Sequence, residues 1–178
     1  MPAVVIMGVS GCGKSALASD LAIRLGWHFV EGDALHPAAN LAKMAAGQPL
    51  DDNDRQPFLR NVGQAIARHE HTGVVVACSA LKRSYRDLLR SYCPDIRFVL
   101  PLLSKAELCQ RLQARSNHFM PASLLDSQLA ALELPQPDEA ALSLDGTVDL
   151  VNAVAAILAW LQCSPANAEG NADSLPRV

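Results

Sequence analysis

Aromatic residues make up only 4% of the chain, positive charge is not in excess, and long apolar runs are missing. Each shortage closes off a class of protein. With 15 Lys and Arg against 18 Asp and Glu, the formal net charge is -3, so no broad basic face for nucleic acid is expected. An anionic ligand would have to meet a local cluster of cations. No stretch reaches the roughly 18 consecutive apolar residues of a membrane span, and the N-terminus lacks a charged region followed by an apolar one. A cytoplasmic protein without a membrane partner is expected. The five cysteines, Cys12, Cys78, Cys93, Cys109 and Cys163, are odd in number, scattered and without a CxxC pair, which argues against a disulfide framework or a structural zinc site. What remains, 178 residues of which 50% are apolar, is enough for one domain with a real core.

Short apolar runs alternate with stretches of helical period, the pattern of an α/β protein built on a parallel sheet. Five strands are predicted: Ala3 to Met7, Trp27 to Val30, Val74 to Cys78, Ile96 to Leu100 and Ala141 to Leu144. Between them, leucines every four residues from Lys14 to Leu25, ended by Gly26, predict the first helix. Pro37 opens a second helix with Leu41, Met44 and Ala45 inward, and a third follows Asp54, with Pro57 in its first turn and Phe58, Val62, Ile66 and Ala67 inward. Leu81, Tyr85, Leu88, Leu89 and Tyr92 mark a fourth. Ser104 and Glu107 read as a capping box for a fifth, running to about Arg115, and Leu124, Leu125, Leu129 and Leu132 mark a sixth. Thr147 is the expected cap of the last helix, with Val148, Val151, Ala155, Leu158 and Leu161 as its buried stripe. Residues 1–162 are expected to form the domain, and 163–178 a disordered tail.

The strongest motif is Gly8-Val9-Ser10-Gly11-Cys12-Gly13-Lys14-Ser15, a full GxxxxGK[ST] match between a predicted strand and a predicted helix. Its glycines let the backbone wrap a polyphosphate, and its amides, with the positive end of the helix that begins Lys14-Ser15-Ala16, face the anion. Lys14 would meet the β- and γ-phosphates and Ser15 would ligate Mg²⁺. Cys12 sits where a helix dipole favours a thiolate, so oxidation at Cys12 is one reading and a small residue at a variable position the plainer one. Guanine-nucleotide switches carry DxxG and NKxD, which are absent here. The third strand ends Ala77-Cys78-Ser79, without the magnesium-holding Asp of larger ATPases. Glu31 and Asp33 supply carboxylates instead, two residues apart at the carboxyl end of a parallel strand. One could orient metal-bound water while the other takes a proton from an attacking hydroxyl.

The run Glu31-Gly32-Asp33-Ala34-Leu35-His36-Pro37, then Asn40, Lys43-Met44, Gly47, Pro49-Leu50, Asp52 and Asp54-Arg55, resembles the signature of the small bacterial and eukaryotic gluconokinases. So do Cys78-Ser79-Ala80-Leu81-Lys82, Tyr85-Arg86-Asp87-Leu88-Leu89-Arg90, His118-Phe119-Met120, Ser127-Gln128 and Leu132-Glu133. The resemblance covers about residues 4 to 162. It implies a three-layer α/β/α P-loop fold with strand order 2-3-1-4-5, a helical lid over about 111–135, and ATP-dependent phosphorylation of D-gluconate at its 6-hydroxyl. Gluconate needs a cation for its carboxylate and polar partners for its hydroxyls. Arg55 suits the carboxylate, Asp33 the reacting hydroxyl and His36 another hydroxyl, with Lys82 and Arg86 adding charge. Lid residues Arg111 and Arg115 would close on ATP, near the adenine and the phosphates respectively, and His118 would reach the acceptor. Lys14, Asp33 and Arg115 are thus the expected catalytic residues, and Ser15 and Glu31 the metal-binding ones, although relatives often carry Asp at the position of Glu31. Family members are often homodimers. The competing expectations are a kinase of another small anion, such as shikimate or adenylylsulfate, and a nucleotide-binding protein without turnover.

Overall fold

The valine-rich segments near the N-terminus and in the middle of the chain have nowhere to expose a polar face, and they form the centre of a sheet. A computed structural model describes residues 3–69, 71–114 and 123–163. Its strands are β1 (Ala3–Ile6), β2 (His28–Glu31), β3 (Val74–Ala77), β4 (Arg97–Leu102) and β5 (Ala141–Asp145). All pair in parallel, in the order β2-β3-β1-β4-β5. The helices are α1 (Lys14–Leu25), α2 (Ala38–Ala45), α3 (Asp52–Arg68), α4 (Arg83–Arg90), α5 (Lys105–Gln113), α6 (Ser123–Ala131) and α7 (Leu150–Cys163).

Alternation along the strands divides the core between two layers. Ala3, Val5 and Met7, with Val74 and Val76, pack against Phe58, Val62 and Ile66 of α3 and Leu89 of α4. Val4 and Ile6, with Val75 and Ala77, pack against Leu17 and Leu21 of α1 and Val154 and Ile157 of α7. A third cluster, Val9, Cys12, Leu81, Leu108, Leu112 and Leu125, joins the loop after β1 to α5 and α6. The result is the expected three-layer α/β/α fold with its central strand feeding the phosphate loop.

Several boundaries differ from expectation. α3 starts at Asp52, because the Asp51 side chain accepts the Asp54 amide and the Asp54 side chain accepts the Asp51 amide, a reciprocal capping box. Pro57 therefore lies beyond the first turn, and Ala67 is exposed. A 3-10 turn, Gly32–Leu35, follows β2. In α2 only Met44 of the three expected apolar positions is buried; Leu41 turns toward a cavity instead. At α7 the cap is Asp149, which accepts the Asn152 amide, while Thr147 donates to Asp145. The buried stripe is accordingly Ala153, Val154, Ile157 and Leu161, with Val148 44% and Val151 62% exposed and Ala155 also outward. Cys163, the first residue of the expected tail, ends α7 instead; residues 164–178 and the segment around Arg115 and His118 lie outside the described residues.

Candidate active site

The loop after β1 is tied down before it reaches any ligand. The Met7 amide donates to the Val99 carbonyl at 2.8 Å and the Gly8 amide to the Ser79 carbonyl at 3.0 Å, which fixes the loop against the ends of β4 and β3. Gly13, at φ 93°, is the left-handed residue from which α1 departs, and no side chain caps that helix. Its first amides are left for an anion. The Lys14 ammonium donates to the Val9 carbonyl at 3.0 Å, folded along the loop it serves. Ser15 and Ala16 are exposed in the first turn.

On one side of this loop lies a cavity of about 240 Å³. Lys14, the pair Asp33 and His36, and Arg55, from three separate places in the sequence, share its wall with Ser79. Their convergence depends on Gly32, where a Cβ would come within 2.2 Å of the Ala77 carbonyl oxygen, so only glycine lets the turn after β2 press against β3. Asp33 leaves that turn exposed, and no hydrogen bond engages its carboxylate among the described residues. His36 stacks on Phe58, rings 3.7 Å apart and 7° from parallel. Burial lowers its pKa to about 4, with Asp33 pulling it up and Arg55 pushing it down. Arg55 donates from Nε to the Leu50 carbonyl at 3.4 Å and lies over the Tyr85 ring at 5.9 Å. Tyr85 in turn donates to Asp52 at 2.5 Å.

A second cavity, of about 300 Å³, opens on the other side of the loop. Gly13 and Ala16 meet Arg111 and the turn Gly146-Thr147 there, and Arg111 donates to the Gly146 carbonyl at 2.8 Å. Cys12 borders this cavity but is 3% exposed, its thiol 3.9 Å from the Met7 carbonyl and its neighbours Leu108 and Leu112. That is an apolar packing role, and it removes the exposure that an oxidation-sensitive thiol requires.

Two of the expected acceptor cations are committed elsewhere. Arg86 is wholly buried and binds Glu139 through Nε and Nη2 at 2.6 and 2.8 Å, while Nη1 donates to the carbonyls of Ala80, Leu81 and Glu133. It is a structural anchor, not a substrate contact. Burial pushes the Glu139 carboxyl up, but hydrogen bonds from Arg86, the Gln136 amide and Arg90 more than offset this and hold it at about 2. Lys82 pairs with Asp52 at 2.7 and 2.9 Å and does not line the cavity.

Sequence reasoning noted Gln128 within a family signature but gave it no role in the site. Its side-chain oxygen accepts the Ser10 amide at 2.7 Å, so α6 grips the phosphate loop directly. The signal was a polar side chain on the buried helical stripe of Leu124 and Leu125, where a polar group is retained only if it has a partner.

For a metal, Glu31 stands at the end of β2 in register with Ala77, at the same end of the sheet as the first turn of α1, which carries the Ser15 hydroxyl. Among the described residues no group of three His, Cys, Asp or Glu forms a protein-only cage. One hydroxyl and one carboxylate fit a Mg²⁺ that keeps its waters and takes the remaining oxygens from phosphate. No described helix is long and apolar enough to cross a membrane.

A phosphate loop set between two cavities, one lined by acid, imidazole and guanidinium, narrows the comparison with known proteins. An AAA domain family model matches residues 4–135. The chain is 54% identical over 145 residues to a gluconokinase of Gluconobacter oxydans, covering 80% of this chain and 82% of that one. To a probable gluconokinase of Schizosaccharomyces pombe it is 47% identical over 143 residues, or 76% and 74% of the two chains. The crystal structure of a gluconokinase from Sinorhizobium meliloti superposes with a TM-score of 0.83 at 44% identity, over 90% of this chain and 91% of that one. Sequence, fold and site agree, and the chain belongs to the gluconokinase family.

Proposed function

We propose that this protein transfers the γ-phosphoryl group of ATP to the 6-hydroxyl of D-gluconate, giving 6-phosphogluconate and ADP. The observation that carries the reading is the single cavity in which Lys14 of the phosphate loop faces Asp33, His36 and Arg55. ATP lies along the loop, its base toward Arg111 and Gly146 and its phosphates on the amides that begin α1. Lys14 exchanges its bond to the Val9 carbonyl for one to the phosphates. Arg55 holds the gluconate carboxylate by two parallel hydrogen bonds, a fit that an ammonium cannot copy. Asp33 accepts the proton of the attacking hydroxyl. His36 contacts an acceptor oxygen. Ser15 and Glu31 hold Mg²⁺, which supplies charge neutralisation at the phosphates when bound. Arg115 and His118 belong to the lid in this reading, which takes residues 1–162 as the kinase domain of a cytoplasmic homodimer.

Purified protein with Mg-ATP is to be assayed for ADP release with D-gluconate, shikimate, adenylylsulfate or no acceptor. Release that depends on gluconate is expected. Release that is independent of gluconate, or faster with either other acceptor, refutes the reading.

A further inference from the structure

Asn40 touches neither cavity, yet it is 3% exposed and sits on the first turn of α2 directly behind His36. Its amide nitrogen lies 2.7 Å from the Asp54 carbonyl oxygen and 3.3 Å from His36 Nδ1. A backbone carbonyl can only accept, so the atom facing it must be the NH₂ group, which fixes the orientation of the Asn40 amide. The second hydrogen of that NH₂ is then directed at His36 Nδ1. Nδ1 must present a lone pair, and the ring proton must reside on Nε2. The stacked Phe58 ring holds the imidazole plane, and with the Nδ1 edge taken by Asn40, the Nε2 edge is the one left for the cavity.

We propose that Asn40 is a positioning residue that locks His36 as its neutral Nε2–H tautomer, so that His36 serves the acceptor only as a hydrogen-bond donor to one of its oxygens. The proposal rests on the acceptor-site reading above. A proton on Nδ1 would set one N–H against another, so both acid and base chemistry at this ring are closed off. The charged groups around it are Asp33 from the 3-10 turn, Arg55 from α3 and Lys14 across the cavity, while α2 presents the neutral Asn40 and α3 the apolar Phe58. Burial favours the neutral ring as well.

Ring ¹⁵N resonances of the full-length protein, with His36 assigned by their loss in His36→Gln, test the lock without reference to any substrate. At pH 5.5 and 7.5 Nδ1 is expected to resonate as a lone-pair nitrogen and Nε2 as a protonated one. An imidazolium or an Nδ1–H tautomer at either pH overturns the proposal, as does an Asn40→Ala protein whose His36 resonances are unchanged. The donor role is read from kinetics. Gln can place an N–H near the Nε2 position and Asn near that of Nδ1, so His36→Asn should raise the gluconate KM by about tenfold and His36→Gln by much less, with the ATP KM unmoved in both. Equal effects of the two substitutions overturn the donor role. If the acceptor reading itself fails, the unsubstituted protein leaves gluconate unphosphorylated while its His36 still shows the Nε2–H tautomer.

Discussion

Asp33 and Arg55 share one cavity, but the chemistry asks different things of them, and their substitutions should separate. On the proposed roles, Asp33→Asn keeps shape and loses the proton acceptor. Turnover is expected to fall by roughly a thousandfold with ATP affinity, measured by calorimetry, unchanged. Arg55→Ala removes the proposed partner of the gluconate carboxylate, so the gluconate KM should rise by at least about tenfold while kcat falls less. A matching loss of ATP affinity in either variant would place the residue on the wrong side of the phosphate loop. Both residues were named from the run between Glu31 and Arg55, and the fold brings both to one cavity wall. Arg86 was misread because a guanidinium one turn from Lys82 on a helix carries no mark of which way it points. Its burial depends on Glu139, which is distant in sequence and brought into reach only by the fold.

At the scale of elements, Arg86, Glu139, Arg83 and Arg90 bind α4 to the segment that follows α6. Glu139→Ala would leave Arg86 charged and buried without its partner, at an expected cost of about 3–5 kcal/mol in urea unfolding. Arg86→Met combined with Glu139→Leu removes both charges and should cost much less. If the single and double variants unfold alike, the pair is not the anchor described. Elements were legible where periodicity and caps coincide, as in α1, which runs from Lys14 to Leu25 as its leucines and Gly26 indicate. They were less so where two signals compete. α3 begins early because two aspartates cap one another in a stretch that reads as polar loop, and the face of α2 was misassigned because a cavity wall is as apolar as a core. In α7 the cap lies two residues beyond the expected Thr147, and that offset rotates the inferred stripe away from Ala153, Val154 and Ile157.

For the whole molecule, stability should fall in two acid steps. His36 has a lowered pKa in the folded state, so the unfolded chain binds more protons between the ordinary value of 6.5 and about 4. Its contribution is fully present above 6.5 and is lost as pH falls through that window. Glu139, held at about 2 against an ordinary 4.5, contributes above 4.5 and is lost below it. Urea midpoints measured from pH 7.5 down to pH 3 should therefore decline, with the part between 6.5 and 4 reduced in His36→Gln. A midpoint that stays level through this range contradicts the assignment.

The two cavities draw on different parts of the chain. The acceptor wall comes from the turn after β2, α2, α3, α6 and Ser79 beyond β3, and the opposite wall from α1, β4, α5, β5 and α7; among the described residues the phosphate loop, with Lys14 at the start of α1, serves both. Descent with modification can act on these two sets separately. On the proposed assignment of the two cavities, substitutions between Asp33 and Arg55 can retune which small acid is taken up while the machinery for the shared phosphoryl donor is inherited intact. A lineage of such enzymes is therefore free to diversify on one bank of the loop and obliged to stay still on the other.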